Sequence, residues 1–321
     1  MRLRDLADLV RAPAALSVPG DVIAGAAAGQ AVGPRTAGLV CSSVCLYWAG
    51  MAANDWADRH LDAAERPERP IPSGRVRPGE ALAVAAGLTA AGLTVAGLTG
   101  GRRALAVAAP LAGAVWAYDL AAKNTRAGPL VMALCRGLNV LLGATSARSP
   151  GVCAPTGMSA SLPAPRPLPA GRGPGLAGRP LGAAVPAALT VAAHTYLLTE
   201  LSRGETAGTS PARPAATLAA TLALATTAAV PSGQARPSGG ATGPAQGALA
   251  LWYAAQFGRP QARAVSDPSA SRVRDAVTAG IVSLPALQGA LAARAGRPLA
   301  GLALAAAVPL ARRLARKVSP T

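Results

Sequence analysis

The sequence predicts an all-α fold, a bundle of nine or ten transmembrane helices in a polytopic membrane protein. Two observations predict it. Apolar windows long enough to cross a bilayer recur along all 321 residues, and 51% of the residues are hydrophobic. Ala, Gly and Leu dominate these windows and aromatic residues make up only 3%, a composition that lets helix backbones approach closely in lipid. A single transmembrane domain over residues 1–321 follows.

Ten apolar windows are candidates for the spans. They cover residues 13–33, 36–55, 80–100, 103–121, 127–147, 179–200, 213–231, 243–258, 275–294 and 298–313. The window 243–258 is short for a bilayer and contains Trp252 and Tyr253, so it either spans the membrane or lies at its surface. Basic residues after the last window favour ten spans.

Residues 148–178 interrupt the helical pattern. This stretch is rich in Pro, Gly and Ser and too long for a tight turn. It predicts a flexible extracytoplasmic linker between two helical halves, with no chemistry of its own.

The net charge of +17, from 31 Lys and Arg against 14 acidic residues, needs a partner of opposite charge. Because the basic residues flank apolar runs and few aromatic residues lie among them, the pattern favours anionic membrane lipid and not nucleic acid. The charged N-terminal segment lacks a cleavage site and is expected on the cytoplasmic side of the cell membrane. Alternation from there puts four basic loops on the same side: 59–77, 123–126, the loop around Arg203, and 259–274.

The most acidic stretch of the chain begins at Asn54. Asp55, Asp58 and Asp62 are spaced i, i+3 and i+7, so on one helix their carboxylates share a face and converge. Carboxylates held so close repel one another unless a cation lies among them, and oxygen ligands suit Mg²⁺. Mg²⁺ favours a phosphate as a further ligand, so the pattern indicates a diphosphate site; the plain alternative is a solvated helix end.

The run RPERPIPSGR follows directly, at residues 66–75. Its prolines predict an extended, non-helical loop. Arg66 and Arg69 supply positive charge toward an anionic substrate.

The sequence NDWADRHLD followed by RPERPIPSGR resembles the first aspartate-rich motif of the UbiA superfamily of intramembrane prenyltransferases. The motif is matched at Asn54, Asp55, Asp58 and Asp62. The resemblance implies that Asp55 and Asp58 are catalytic, that the three aspartates bind Mg²⁺, and that Asn54, Arg66 and Arg69 contact substrate. It implies transfer of an isoprenoid group from a prenyl diphosphate donor to an aromatic or other small or lipid acceptor, at an active site toward the cytoplasm. It also favours nine spans, against the ten that the basic residues after the last window favour.

A second polar group lies between two apolar windows, in the sequence WAYDLAAKNTRAGP. Members of this superfamily carry a tyrosine and a lysine here, matched by Tyr118 and Lys123. The resemblance implies that Tyr118 contacts substrate and that Lys123 is a catalytic charge on the diphosphate. The alternative for Lys123 is a positively charged anchor at the membrane surface.

Polar residues also lie inside apolar windows. Arg136 and Asn139 are one turn apart on the same side of a helix, and a buried arginine in lipid needs a cavity or a partner. Both are expected in the substrate pocket, with Arg136 pairing with a carboxylate or a phosphate. Asp21, after a Pro-Gly break, is either a pocket residue or part of an interfacial turn.

The resemblance also predicts a second acidic motif, which this chain departs from. Glu200 stands at the first acidic position, Gly204 at the second, and Glu205 one residue later. Two side chains that are five positions apart point about 140° away from each other on an ideal helix. Either the helix ends near Ser202 and the loop brings Glu205 back, or only one glutamate helps to bind metal. Arg203, between them, is expected to contact substrate.

The histidine and cysteine residues in the apolar windows are not expected to form a functional site. His194 near a helix end is expected to be structural. Cys41 and Cys45 are one turn apart but lack further ligands, so they are expected to be buried small residues, and no disulfide is indicated.

Three further functions stay open on the sequence. The same scaffold could use another diphosphate, as in phosphoribosyl transfer, or cyclise a terpene without an acceptor. A non-enzymatic membrane transporter or scaffold is the third alternative, with Asp21, Arg136 and Glu200 lining its pathway.

Overall fold

Helices joined by short loops make up the computed structural model, which describes residues 2–11, 17–147, 179–230, 242–306 and 309. The helices are α1 (Leu3–Leu9), α2 (Val18–Ala28), α3 (Pro34–Ala57), α4 (Arg59–Glu65), α5 (Pro78–Ala117), α6 (Gly128–Ala144), α7 (Arg179–Ser202), α8 (Ala212–Ala229), α9 (Thr242–Ser266) and α10 (Ala270–Arg294). A π-helical turn, Tyr118–Ala122, extends α5, and residues 298–306 are helical after α10. The predicted linker at 148–178 lies outside the described residues.

Four helices are long and apolar enough to cross a membrane: α3, α5 with its extension, α7 and α10. The apolar helices α2 and α6 are shorter. No strand occurs in the described part of the chain. The all-α polytopic membrane fold is therefore confirmed, whereas the count of nine or ten spans stays a prediction.

Helix α5 contains two of the predicted spans. With its π-helical turn it is 45 residues long, about 68 Å if straight and more than twice the bilayer core. Trp116 Nε1 nevertheless donates a hydrogen bond of 3.1 Å to Thr89 Oγ1, 27 residues earlier. The chain turns back at Gly101, whose φ of 65° and ψ of −155° are outside the range open to other residues. The windows 80–100 and 103–121 thus form a helical hairpin.

The helices close into a ring. Each helix from α5 to α10 packs on the next, α3 packs on α5, and α10 returns to α2, which also contacts α3, α6 and α7. Helix α2 therefore lies at the centre, although it has 11 residues against the 21 of the predicted window 13–33. Residues 12–16 lie outside the described part.

The contact between α2 and α6 depends on glycine. A Cβ added at Gly25 would overlap the backbone of Val140, and one at Gly143 would overlap the backbone of Val22. The two backbones therefore touch with no side chain between them, as the composition predicted.

Gly25→Ala is expected to destabilise the protein by about 1–3 kcal/mol, because neither backbone can move without disturbing the core. Thermal unfolding in detergent would measure the loss. Gly113→Ala is the matched control, since an added Cβ there meets no atom within 4 Å. Equal unfolding temperatures for the two variants would contradict the close packing of α2 on α6.

Two predictions about the remaining elements need correction. Helix α9 has 25 residues and extends beyond the window 243–258, and Tyr253 and Phe257 on it are fully buried in the bundle; whether it crosses the membrane stays a prediction. Cys41 is exposed, because its side of α3 points away from the bundle. The expectation that it is buried was wrong.

Candidate active site

Four loops meet at one end of the bundle: 58–77, 123–127, 203–211 and 267–269. Three side-chain contacts join them in turn: Lys123 with Asp58, Arg203 with the carbonyl of Thr125, and Arg274 with the carbonyl of Glu205. The basic loops that were expected on one side of the membrane therefore share one end of the bundle. The side of the membrane that this end faces stays a prediction.

The acidic motif lies on α3 and α4, at this end. The expectation of one continuous helix was wrong, since α3 ends at Ala57 and α4 begins at Arg59. The break is mild, because the amide of Asp58 still donates to the carbonyl of Asn54 at 2.9 Å. Asp55 is 3% exposed and Asp62 is 4% exposed, so both carboxylates are desolvated.

Cationic side chains lie between the carboxylates of the motif. Arg69 Nη1 is 2.8 Å from Asp55 Oδ1 and 4.0 Å from Asp62 Oδ2. Arg11 Nη2 is also 2.8 Å from Asp55 Oδ1, and Arg66 Nη1 is 3.7 Å from Asp62 Oδ1. The expected convergence of the carboxylates on one point is thus not observed. In the described ranges no group of three His, Cys, Asp or Glu side chains is arranged to hold a metal ion.

Asp58 has its own partners. Asn54 Nδ2 donates a hydrogen bond of 3.1 Å to Asp58 Oδ2, and Lys123 Nζ is 2.5 Å from Asp58 Oδ1. The Lys123 side chain is only 15% exposed. A surface anchor would be more exposed, so this placement favours a role for Lys123 in the site.

The π-helical turn explains the spacing of Tyr118 and Lys123. Its defining hydrogen bond runs from Lys123 N to Tyr118 O, at 3.0 Å. Five residues would separate these side chains by about 140° on an α-helix, and the wider turn brings them toward the same side. Asp58 and Arg203 are both within electrostatic reach of Tyr118. Such turns occur frequently at functional sites.

The loop after the motif is compact, so the expectation of an extended loop was wrong. Ser73 N donates to the carbonyl of Arg69 and Val76 N to that of Pro70, while Gly74 adopts a φ of 74°. The reason is that the residues between the prolines keep their amides, and these find acceptors inside the loop. The resulting turns hold Arg69 against Asp55.

Sequence reasoning missed the N-terminal segment as part of this region. Arg75 Nη1 contacts Asp8 at 2.8 Å and Asp5 at 3.3 Å, which fixes α1 to the loop. The hydrogen bond that Arg75 donates to the Asp8 carboxylate raises the pKa of Arg75. Arg11 follows α1 with a φ of 45° and reaches Asp55. No periodic signal in the sequence pairs positions so far apart.

The second acidic motif lies beside the Lys123 loop. Helix α7 ends at Ser202, which was one of the two alternatives. Glu200 Oε1 is 3.4 Å from Arg203 Nε. Burial raises the pKa of Glu205, an effect that Arg274 partly offsets. Neither glutamate joins the aspartates in a metal-binding group within the described residues, so their roles as ligands stay predictions.

Arg136 and Asn139 meet a different carboxylate, deeper in the bundle. Arg136 Nε is 3.0 Å from Asp21 Oδ2, and Asn139 Nδ2 donates to the same oxygen at 3.0 Å. Gln288 Nε2 donates to Asp21 Oδ1 at 2.7 Å. Asp21 is fully buried on α2, so the alternative that it belongs to an interfacial turn was wrong. Arg136 has a carboxylate partner, as expected. Sequence reasoning missed Gln288, which is the polar residue of the apolar stretch 284–293 in α10.

His194 is part of the core. Its Nδ1 lies 2.8 Å from the hydroxyl of Tyr253, and its ring packs edge-on against Phe257 with centroids 5.3 Å apart. These contacts join α7 to α9 and agree with a structural role.

Fold and site together define an integral membrane protein with a cluster of acidic and basic side chains at one end of its helical bundle. The model of the UbiA prenyltransferase family matches residues 16–270. The chain belongs to this family. Its membership favours an enzyme over the transporter and scaffold alternatives.

Curated relatives match over short stretches. Digeranylgeranylglyceryl phosphate synthase of Methanopyrus kandleri is 44% identical over 72 residues, which are 22% of this chain and 24% of that protein. The bacteriochlorophyll synthase 33 kDa chain of Rhodobacter capsulatus is 35% identical over 83 residues, 26% of this chain and 27% of that protein. The chain thus matches about a quarter of the length of these relatives.

Solved structures match over nearly the whole fold. A UbiA homolog from Aeropyrum pernix K1 aligns with a TM-score of 0.59 over 86% of this chain and 96% of its own, at 18% identity. A digeranylgeranylglyceryl phosphate synthase aligns with a TM-score of 0.60 over 91% of this chain and 98% of its own, at 14% identity. At these identities the likeness concerns the fold alone.

Proposed function

We propose that the protein is a Mg²⁺-dependent intramembrane prenyltransferase that moves an isoprenoid group from a prenyl diphosphate to an aromatic or other small or lipid acceptor. One observation carries the proposal. Asp55 Oδ2 is buried and has no hydrogen-bond partner among the described residues, although Arg11 and Arg69 engage the other oxygen. An unsatisfied carboxylate oxygen is costly to bury, and a cation would satisfy it.

The residues present fit a divalent ion by the chemistry of their donor atoms. Asp55, Asp58 and Asp62 would hold it, with Glu200 or Glu205 from the second motif. Hard carboxylate oxygens are the ligands that Mg²⁺ takes in proteins. The bound ion would neutralise the diphosphate and stabilise it as a leaving group.

The cations around the motif are suited to the donor's phosphates. Lys123 and Arg69 now contact carboxylates, and both would bind phosphate oxygens when a diphosphate enters. Arg66 and Arg203 lie at the same end with more exposed side chains. Tyr118 and Asn54 border the same space, and they would orient the donor.

The apolar bundle beneath the site has a chemical role. Loss of diphosphate leaves an allylic cation, which water would capture. Helices α3, α5 and α6 pack against each other below the motif and would exclude water from the reacting carbon. The prenyl chain would lie among these apolar helices. We place the enzyme in the cell membrane as a multi-pass protein, with the site toward the cytoplasm, where positively charged loops are retained.

Pyrophosphate release by the purified protein in detergent tests the proposal. Geranyl, farnesyl and geranylgeranyl diphosphate would be supplied with Mg²⁺, with and without EDTA, and with a membrane-lipid extract as a source of acceptor. We expect release that requires Mg²⁺ and ranks the donors by length. Absence of release from every donor, in protein shown to be folded, would contradict the proposal.

Lys123→Ala is expected to weaken donor binding by about 10-fold to 150-fold, because a hydrogen bond to a charged group contributes about 1.5–3 kcal/mol. The dissociation constant for geranylgeranyl diphosphate would be measured by tryptophan fluorescence. Arg272→Ala, at the same end but with a side chain 47% exposed, is the control. An unchanged donor affinity would indicate that Lys123 is a membrane anchor and does not bind the donor.

A further inference from the structure

Asp119 is a buried carboxylate that the proposed donor chemistry does not use. It lies in the π-helical turn Tyr118–Ala122 and is only 6% exposed. Within the described part of the chain its side chain makes no hydrogen bond and no ion pair. Such a group is costly in a membrane protein and marks a functional position.

The carboxylate lies directly beneath the donor site. A Cβ at Gly50 would be 3.2 Å from Asp119 Oδ2, so the absence of a side chain at Gly50 makes room for it. Gly50 is one helical turn before Asn54 on α3, and Asp119 is one turn before Lys123 on its own helix. Since both helices end at the site, Asp119 is one turn deeper in the bundle than the ion pair of Lys123 with Asp58.

This depth is where the reacting carbon of the donor is expected. A diphosphate held by the acidic motif and Lys123 directs its prenyl chain into the apolar bundle, past Asp119. The charges that act on Asp119 come from Lys123, Asp58, Arg11 and Asp55. Each of these four is engaged in an ion pair, so Asp119 keeps lone pairs available for a substrate proton.

Building on the proposed function, we propose that Asp119 is the catalytic base for a hydroxyl-bearing acceptor. The bond between C1 of the donor and the diphosphate oxygen breaks, and its electron pair leaves with the diphosphate. The acceptor's hydroxyl oxygen forms a bond to C1, and its proton moves to an Asp119 carboxylate oxygen. The same carboxylate accepts a hydrogen bond from the hydroxyl beforehand, which selects acceptors that carry an O–H group.

Positional isotope exchange measures donor ionisation independently of proton transfer from the acceptor to Asp119. Geranylgeranyl diphosphate would carry ¹⁸O at the oxygen between C1 and phosphorus. Ionisation and return move the label to a non-bridging position, and this exchange needs no proton acceptor. Transfer would be measured in parallel, to water and to the free hydroxyl of monogeranylgeranylglyceryl phosphate, with its O-methyl ether as a blocked control.

In Asp119→Asn we expect Mg²⁺-dependent exchange to continue while transfer to both hydroxyl acceptors falls at least about 100-fold, the usual contribution of a general base. Asp119→Glu should recover part of the transfer. Asp55→Asn provides the contrast, because it should lose exchange as well.

Two results would overturn the role of Asp119. One is transfer by Asp119→Asn at the wild-type rate. The other is loss of exchange together with transfer, which would mean that the substitution impairs donor binding or folding. Wild-type protein that shows neither exchange nor pyrophosphate release with Mg²⁺ would instead contradict the prenyl diphosphate chemistry itself. Failure of the further inference is thereby distinguished from failure of the proposed function.

Discussion

Asp55→Asn is expected to lower Mg²⁺-dependent pyrophosphate release by about 10³-fold or more. The substitution keeps the size of the side chain and removes the charge that Arg11 and Arg69 contact and that a metal ion needs. Loss of metal stabilisation of the leaving group is worth several kcal/mol, and each 1.36 kcal/mol is a factor of ten in rate. Release of pyrophosphate would be followed in detergent, with Mn²⁺ binding measured by electron paramagnetic resonance.

Asp275→Asn is the matched control, because it removes one acidic charge from a side chain that is 68% exposed on α10. We expect it to release pyrophosphate at the wild-type rate. If Asp55→Asn kept wild-type turnover and Mn²⁺ affinity while folded, the metal-binding role of the motif would be wrong.

Asp21→Asn is expected to cost about 3–5 kcal/mol of folding stability, because it leaves the buried guanidinium of Arg136 without a counter-charge. Asn139 and Gln288 donate to different oxygens of Asp21, so the new amide keeps an acceptor for only one of them, and the loss includes one hydrogen bond as well as the charge. Chemical denaturation in detergent micelles would measure the free energy of unfolding.

The double variant Asp21→Asn with Arg136→Gln removes both charges. We expect it to be more stable than Asp21→Asn alone, with a coupling energy of at least about 1 kcal/mol between the two positions. Strictly additive losses would show that the ion pair does not stabilise the contact between α2 and α6.

The sequence predicted those parts of the site that depend on local spacing. Asp55, Asp58 and Asp62 recur at helical intervals and lie at the same end of the bundle, although the helix breaks at Asp58 and the three carboxylates do not converge on one point. Arg136 was predicted to need a partner because lipid excludes an isolated charge. Both inferences use only residues within one helix and the properties of the solvent around it.

The missed features come from pairs that are distant in the chain. Arg11 and Asp55 are 44 residues apart, and Gln288 and Asp21 are 267 apart. Helical periodicity says nothing about which helices pack together, so neither pair could be found. The π-helical turn at Tyr118 was missed for another reason, since it is the last turn before a loop and no helical residues follow it that would show a shift in the hydrophobic period.

The arginine that lies between Asp55 and Asp62 bears on how the enzyme is made. Acidic clusters that depend on an ion for neutralisation fold only when the ion is supplied. Here Arg69 and Arg11 come from the same polypeptide as the carboxylates they neutralise. On the proposed function, we therefore expect insertion into the membrane and assembly of the bundle to proceed without Mg²⁺, and the ion would arrive later with the substrate.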